Sequence, residues 1–281
     1  MGGDDFLRVA SGLGPPLFDG KVVVITGAGS GIGRALAQQL ASRGARLALS
    51  DVNAQSLEET RKSLAQGTKA IAYPLDVSSR EAVFAHAKAV RRDFGTAHFL
   101  VNNAGVTVVG TIAHLSIEEI EWQLGINLWG VIYGTKAFLP MMLEQREGCI
   151  VNVSSVFGFV GFPAQGAYNI SKFGVRGLTE CLWSELAGSG VRAVSVHPGG
   201  IKTNIEIAGR RCAAAGEEES RLAKLGEKLL LTPPAECAAD ILAGVERGDL
   251  QIVTGNKSST LHWLSRLLPD RYPKILRLLT G

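Results

Sequence analysis

Val22-Val23-Val24-Ile25-Thr26-Gly27-Ala28-Gly29-Ser30-Gly31-Ile32-Gly33 is the stretch that decides how this chain folds. Its first half is a short β-branched run, the mark of a buried strand. Its second half is a glycine turn. The residues that follow, Gly33–Arg43, carry apolar side chains at helical spacing and close on Gly44. A strand that turns through glycines into a helix presents bare backbone N–H groups at a helix N-terminus, where a pyrophosphate is accepted. A Cβ at Gly27, Gly31 or Gly33 would obstruct the turn, the close approach of a ligand or the packing of helix on strand.

Outward from this unit the chain alternates. Arg46–Ser50 reads as a second strand and Asn53–Ala65 as a helix capped by Asp51 or Asn53. Strands are expected at Ala70–Leu75, Ala97–Val101, Cys149–Val153, Val191–Val196 and Gln251–Val253. Helices are expected at Arg80–Phe94, over most of Ile117–Leu143, and at Tyr168–Leu186 and Pro234–Arg247. Such alternation implies an α/β fold: a doubly wound parallel sheet of about seven strands, helices on both faces and right-handed crossovers. Residues 200–233 break the pattern. They show no strand and are rich in charge and small residues, and a loop of that length is usually functional.

Composition narrows the class. The 281 residues are 46% apolar and 20% charged, enough for a sizeable core and against disorder. The 34 glycines keep no fixed period, which excludes a collagen-like chain. A net charge of +3 is too mild to argue for a nucleic-acid partner. The start, Met1-Gly2-Gly3-Asp4-Asp5-Phe6, lacks the basic-then-apolar order of a signal peptide, and no apolar run is long enough to span a bilayer. Cys149, Cys181, Cys212 and Cys237 are scattered and read as free thiols in a reducing compartment. A cytoplasmic protein is expected. The five histidines form no ligand cluster, so no metal site is expected, and no G-x-S-x-G nucleophile elbow occurs.

Asp51 ends the second strand. A carboxylate there accepts hydrogen bonds from ribose hydroxyls and repels a 2′-phosphate. Val52, Asn53 and Ala54 follow it, with no Arg or Lys to offset the charge. NAD(H) is therefore expected over NADP(H). The plainer alternative is that Asp51 only caps the next helix.

With these residues in view the chain resembles the short-chain dehydrogenases/reductases over about residues 19–255. The motifs are T-G-x-x-x-G-I-G at Thr26–Gly33, N-N-A-G at Asn102–Gly105, an asparagine at Asn127, Y-x-x-x-K at Tyr168–Lys172 and P-G at Pro198–Gly199, all in the family's order. The resemblance implies a single Rossmann-fold domain at 19–255, after an N-terminal arm at 1–18. It includes a substrate lid at 202–232 and is followed by an amphipathic tail at 256–281. It also implies cofactor contacts at Gly27, Ser30, Gly31, Ile32, Asp51, Asp76, Val77, Asn103, Ala104, Gly105, Tyr168, Lys172, Pro198, Gly199, Ile201 and Thr203. Gly200 is an extra glycine after Pro198-Gly199, so the local turn is expected to differ from the family's.

The same resemblance makes Asn127, Ser155, Tyr168 and Lys172 the catalytic set. Tyr168 and Lys172 are four residues apart and share a helix face. A free phenol titrates near ~10, too high for efficient proton exchange at neutral pH. An ammonium about 4 Å away contributes about 4 kcal/mol at an effective dielectric near ~20, enough to bring the phenol toward neutrality. Tyr168 is then the general acid/base. Ser155 stands the family's thirteen residues before Tyr168 and would hold the substrate oxygen, leaving Ser154 structural. Asn127 would kink its helix and support a proton relay to Lys172.

Val156–Phe162 and Val106–Val108 flank this set and are apolar. They favour a hydrophobic secondary alcohol or ketone as substrate, or else are plain core. In the tail, Leu261, Leu264, Leu267 and Leu268 suit one helical face ended by Pro269, and Ile275, Leu276, Leu278 and Leu279 suggest another short helix. With Arg266, Arg271, Lys274 and Arg277 beside them, they would pack on a neighbouring subunit or meet a membrane. A homodimer or homotetramer is expected. Two alternatives are an NADP-dependent 3-oxoacyl reductase-like enzyme and a non-catalytic nucleotide-sensing protein of the same fold.

Overall fold

A computed structural model of the chain describes residues 17–203, 205 and 209–280. The expected N-terminal arm therefore lies almost wholly outside the described residues. Phe18, at its far end, is buried against Phe99 with ring centroids 5.1 Å apart, so the packed domain takes it in.

Nine strands are described. They are β1 (Val22–Thr26), β2 (Arg46–Asp51), β3 (Ala70–Pro74), β4 (Phe99–Asn102), β5 (Val108–Val109), β6 (Gly148–Val153), β7 (Val191–Gly199), β8 (Arg210–Arg211) and β9 (Gln251–Gly255). Seven of them form one sheet in the order β3-β2-β1-β4-β6-β7-β9, every neighbouring pair parallel. The helices are α1 (Gly31–Ser42), α2 (Ala54–Lys62), α3 (Arg80–Phe94), α4 (Ile117–Leu124), α5 (Gly130–Gln145), α6 (Gly166–Glu185), α7 (Glu217–Leu229), α8 (Pro234–Arg247), α9 (Ser258–Leu267) and α10 (Tyr272–Thr280).

Successive side chains of β1 point to opposite faces of the sheet. Val23 and Ile25 join Leu36, Leu40 and Leu47 in a core that takes in α1 and α8. Val22 and Val24 join Leu100, Phe138, Met142 and Ile150 in a core that takes in α3, α5 and α6. Both faces are covered, as a fully parallel sheet requires. The strand order reverses between β1 and β4, and a doubly wound sheet opens its ligand crevice outside the carboxyl ends at that point.

One expectation needs correction. Residues 200–233 do contain a strand: β8 pairs in parallel with β5, Val108 opposite Arg210 and Val109 opposite Arg211. They also contain α7. Arg210–Arg211 has no strand signature, and its conformation is imposed by the partner backbone. Ile117–Leu143 is helical as expected, and a π-helical turn at Gly125–Trp129 stands where a kink at Asn127 is expected.

Candidate active site

Six strand ends, those of β1, β2, β3, β4, β6 and β7, supply the crevice. The turn after β1 is shaped by contact. Gly27 has φ +66°, a left-handed conformation that side chains resist, and a Cβ there would lie 2.8 Å from Ala104 Cα. A Cβ on Gly33 would lie 2.1 Å from the Gly27 carbonyl oxygen, so glycine is what lets α1 start beneath β1. Gly31 faces Thr203, whose Cγ2 would be 3.2 Å from an added Cβ. Ser30, exposed and extended, heads α1 without a side-chain cap bond, which leaves the first amides of the helix for an anion. Ile32 packs against the adjoining core.

Asp51 ties this turn together. Its Oδ2 accepts from the Gly29 amide at 2.9 Å and its Oδ1 from the Asn53 amide at 2.9 Å. The cap of α2 is Asn53, whose Oδ1 accepts from the Ser56 amide. The guanidinium of Arg34 lies close by but is held by the Gly29 and Ser56 carbonyls, Thr60 Oγ1 and Glu59.

After β4, the Asn103 amide side chain donates to the carbonyls of Thr26 and Gly27 at 3.0 and 3.1 Å, and the Asn103 and Ala104 backbone amides both donate to Thr26 Oγ1. Gly105 lies against Asn127 and Lys172, with 3.4 Å to Asn127 Oδ1 and 3.7 Å to Lys172 Nζ from an added Cβ. After β3, Asp76 is exposed and accepts from the amide and hydroxyl of Ser78, while Val77 is buried beside Ala104 and Ile126.

After β6 stands Ser155, buried, its hydroxyl oxygen accepting from the Phe157 amide at 3.1 Å and donating weakly to the Pro198 carbonyl at 3.5 Å. Ser154 donates to the Lys172 carbonyl at 2.8 Å and so anchors α6 to β6. Tyr168 and Lys172 project from the first turns of α6, with Lys172 Nζ 5.4 Å from the centre of the Tyr168 ring. Phe157 meets Tyr168 edge-on at 6.1 Å. Lys172 is 3% exposed and its ammonium donates to the Val153 carbonyl at 2.9 Å. Burial, with no carboxylate partner among the described residues, lowers its pKa to about 8.

Asn127 occupies the π-helical turn and is fully buried. Its amide exchanges two hydrogen bonds with the Val106 backbone, at 2.8 and 2.9 Å, so the turn fixes the segment beyond Gly105. Pro198 and Gly199 end β7, buried. Gly200 has φ +61° and its carbonyl accepts from the Leu231 and Thr232 amides, which turns the chain past buried Ile201 toward Thr203.

Three features escaped the sequence. His197 is buried with its ring stacked on Phe159 at 3.9 Å. Its Nδ1 meets the Ser155 carbonyl at 3.0 Å and its Nε2 meets Ser195 Oγ at 2.8 Å. Burial lowers its pKa to about 3, so the ring is neutral and donates from Nδ1 to the backbone of Ser155. Phe159 and Val160, expected beside the substrate, are buried under α9 and α10; Phe157 and Phe162, stacked at 4.9 Å, are the partly exposed aromatics of that segment.

The third is Glu219. A run of acids at Glu217–Glu219 suggests a solvated face, yet the Glu219 side chain is buried. It accepts from the Gly216 amide at 2.9 Å, from His114 at 2.7 Å and from the amide and hydroxyl of Thr111, so it pins α7 to the loop after β5. The Gly216 amide and His114 together hold its pKa down to about 2. A carboxyl lowered on folding stabilises the fold fully above its ordinary value near 4.5, and that contribution fades as pH falls toward 2. Glu219→Ala is expected to speed amide hydrogen exchange in α7 at neutral pH while exchange in the seven-stranded sheet stays as in the parent. Unchanged exchange in α7 would show that something other than this carboxylate holds the helix.

A parallel doubly wound sheet with a glycine-lined crevice at its switch point defines a dinucleotide-binding α/β protein. The short chain dehydrogenase profile matches residues 21–211, and this chain belongs to that family. A relative from Mycobacterium tuberculosis, provisionally named oxidoreductase SadH, is 43% identical over 263 residues, which cover 92% of this chain and 95% of the relative. Estradiol 17-beta-dehydrogenase 11 of Macaca fascicularis is 32% identical over 92% of this chain and 82% of its own. A short-chain dehydrogenase/reductase from Burkholderia phymatum, solved in complex with NAD, superposes with a TM-score of 0.80 at 33% identity, covering 92% of this chain and 95% of that one.

Proposed function

We propose that the chain transfers a hydride between NAD(H) and a hydrophobic secondary alcohol or its ketone, with Tyr168 as the general acid/base. The observation that carries this reading is the buried Lys172 ammonium above the Tyr168 ring, beside the glycine-lined crevice and with no carboxylate partner among the described residues.

The crevice suits the cofactor. Gly27, Ser30, Gly31 and Ile32 leave a helix N-terminus open to the pyrophosphate, and Asp51 stands at the end of β2 for the adenosine ribose. Asp76 and Val77 border the adenine. Asn103, Ala104 and Gly105 form the floor, and Pro198, Gly199, Ile201 and Thr203 close over the nicotinamide end. When bound, the nicotinamide supplies the hydride acceptor or donor.

The chain's own residues orient and move the proton. Ser155 holds the substrate oxygen, and Tyr168 takes or returns the proton on that oxygen. Lys172 stabilises the phenolate by charge and keeps N–H groups for the nicotinamide ribose. Asn127 holds the backbone beyond Gly105 and, with it, the wall beside Lys172. NAD is favoured because Asp51 places a negative charge where a 2′-phosphate would sit, and Arg34 is already engaged. An apolar substrate is favoured by Phe157 beside Tyr168, with Phe162 stacked on Phe157, and by the steroid alcohol named in the macaque relative. Residues 202–232, of which 204 and 206–208 lie outside the described residues, act as the substrate lid, and its part from Arg210 to Glu219 is tied down through β8 and Glu219. The exposed Trp129, Ile170 and Phe173 support a homodimer or homotetramer.

A panel of apolar and sugar alcohols with NAD and NADP, followed by absorbance of the reduced nicotinamide, checks the reading. Turnover is expected with NAD and apolar secondary alcohols. Asp51→Ser is expected to narrow the ratio of kcat/KM for NAD over NADP by roughly tenfold, in line with one removed like-charge contact. Turnover with NADP alone, or preference for sugar alcohols, would overturn it. Nucleotide binding without turnover on any alcohol would favour a sensing protein instead.

A further inference from the structure

The helices after β9 form a two-sided cover. Their inner faces close on the segment beyond Ser155. Leu276 is buried with Phe159 and Val160, Leu261 and Tyr272 pack on the same cluster, and His262 meets Phe159 at 4.4 Å. The Gly161 amide donates to Tyr272 Oη at 3.3 Å.

Their outer faces are apolar and basic. On α9, Trp263 and Leu267 are one turn apart and 57% and 70% exposed, with Arg266 beside them. On α10, Leu278 is 84% exposed, one turn from Lys274 and next to Arg277. Leu268 and Arg271 are exposed on the connection. Asp270 is the only acid from Ser258 to the end of the chain. Among the described residues no helix is long and apolar enough to cross a membrane.

The geometry points to this outer face as a docking surface for an anionic lipid bilayer, on which the protein lies with α9 and α10 in the interface. Exposed Trp and Leu side chains interleaved with Arg and Lys match the apolar and anionic layers of such a surface. A second copy of the chain fits less well. A two-fold contact sets a patch against itself, and here that would bring Arg266, Arg271 and Lys274 of one copy against the same cations of the other, with Asp270 the one Asp or Glu that the tail sequence offers beside them. The inner face covers the residues next to Ser155 and Tyr168, so docking brings the crevice to the level where an apolar alcohol partitions. That consequence rests on the proposed activity; the docking itself does not.

Flotation of the full chain with vesicles tests the proposal. One set is phosphatidylcholine alone, and the other contains a share of phosphatidylglycerol. The chain is expected to float with the anionic vesicles at low salt, to do so less at high salt, and to stay behind with the neutral ones. Leu267→Ser with Leu278→Ser, and separately Arg271→Glu with Lys274→Glu, are expected to weaken flotation. Each lost cation reduces the partition constant roughly fivefold. Thermal unfolding of each variant confirms that it folds, and turnover on a water-soluble alcohol is expected to match the parent. Absence of flotation, or equal flotation with neutral vesicles, overturns the proposal. So does a change in sedimentation mass of the variants when the parent fails to float, which would assign the face to a second copy. Loss of turnover in every sample, parent included, would count against the hydride reading and leave the vesicle result standing.

Discussion

Tyr168→Phe is expected to lower kcat/KM by on the order of a thousandfold while NADH binds nearly as it does to the parent. Positioned general acid/base catalysis contributes about two to four orders of magnitude, and the phenol oxygen is the one group this substitution removes. The phenyl ring that replaces it keeps the edge-on contact with Phe157 and the place beneath the Lys172 ammonium. Neither the glycine turn nor the Asp51 contacts involve it. Steady-state rates with a responsive alcohol, together with fluorescence titration of NADH, separate the two effects. The pH profile adds a second readout, because the limb set by the phenol should vanish from whatever rate survives. Turnover within tenfold of the parent would reject Tyr168 as the proton donor and acceptor. Equal loss of NADH affinity and turnover would show that the ring shapes the nucleotide site instead.

Much of this site was legible because its parts are local. The glycine turn is specified by neighbouring residues, and the Tyr168–Lys172 pair by helical spacing. Ser155 and Asn103 sit at the carboxyl ends of strands whose apolar runs are plain in sequence. What stayed hidden depends on partners far along the chain. β8 is a strand because Val108–Val109 offers it a backbone edge, and nothing in Arg210–Arg211 says so. Glu219 is buried because α7 begins at Glu217, which sets one carboxylate of an acidic run within reach of the Gly216 amide and turns it toward Thr111 and His114. His197 is one residue before a recognisable Pro-Gly, but its hold on the Ser155 backbone requires β7 to lie beside β6. Apolar composition alone overstated the substrate wall. Phe159 and Val160 look like their neighbours in sequence, yet the tail helices remove them from the crevice.

Lys172→Met is expected to abolish turnover and at the same time to leave the nucleotide-free protein as stable as the parent, or more so. The ammonium is buried with one carbonyl for a partner, and burial disfavours its charged form, so its pKa falls from near 10.5 to about 8 on folding. Below pH 8 the lysine is protonated in both folded and unfolded chains and the full penalty is present. Between about pH 8 and 10.5 the unfolded chain holds more protons than the folded one, so this lysine makes stability rise with pH. A shift of this size corresponds to about 3 kcal/mol at neutral pH, as an upper bound. Methionine fills similar apolar volume without the charge, but it leaves the Val153 carbonyl unpaired at a cost of about 1–3 kcal/mol. The net gain is therefore between nothing and about 2 kcal/mol at pH 7. The sharper signature is the pH dependence. Buried Cys149 and Cys237, with thiol pKa values raised to about 11 and 12, slope the other way in parent and variant alike. Subtracting the two urea-unfolding series isolates the lysine. The variant's advantage should fall by about 3 kcal/mol as pH rises from 8 through 10.5 and should change sign on the way, because only the unpaired Val153 carbonyl then separates the two proteins. Turnover should fall by at least two orders of magnitude, because the phenol loses the charge that makes its proton exchangeable near neutrality. A constant difference across that range would show that Lys172 is not the desolvated cation the site requires. Retained turnover would show that Tyr168 is tuned by some other group.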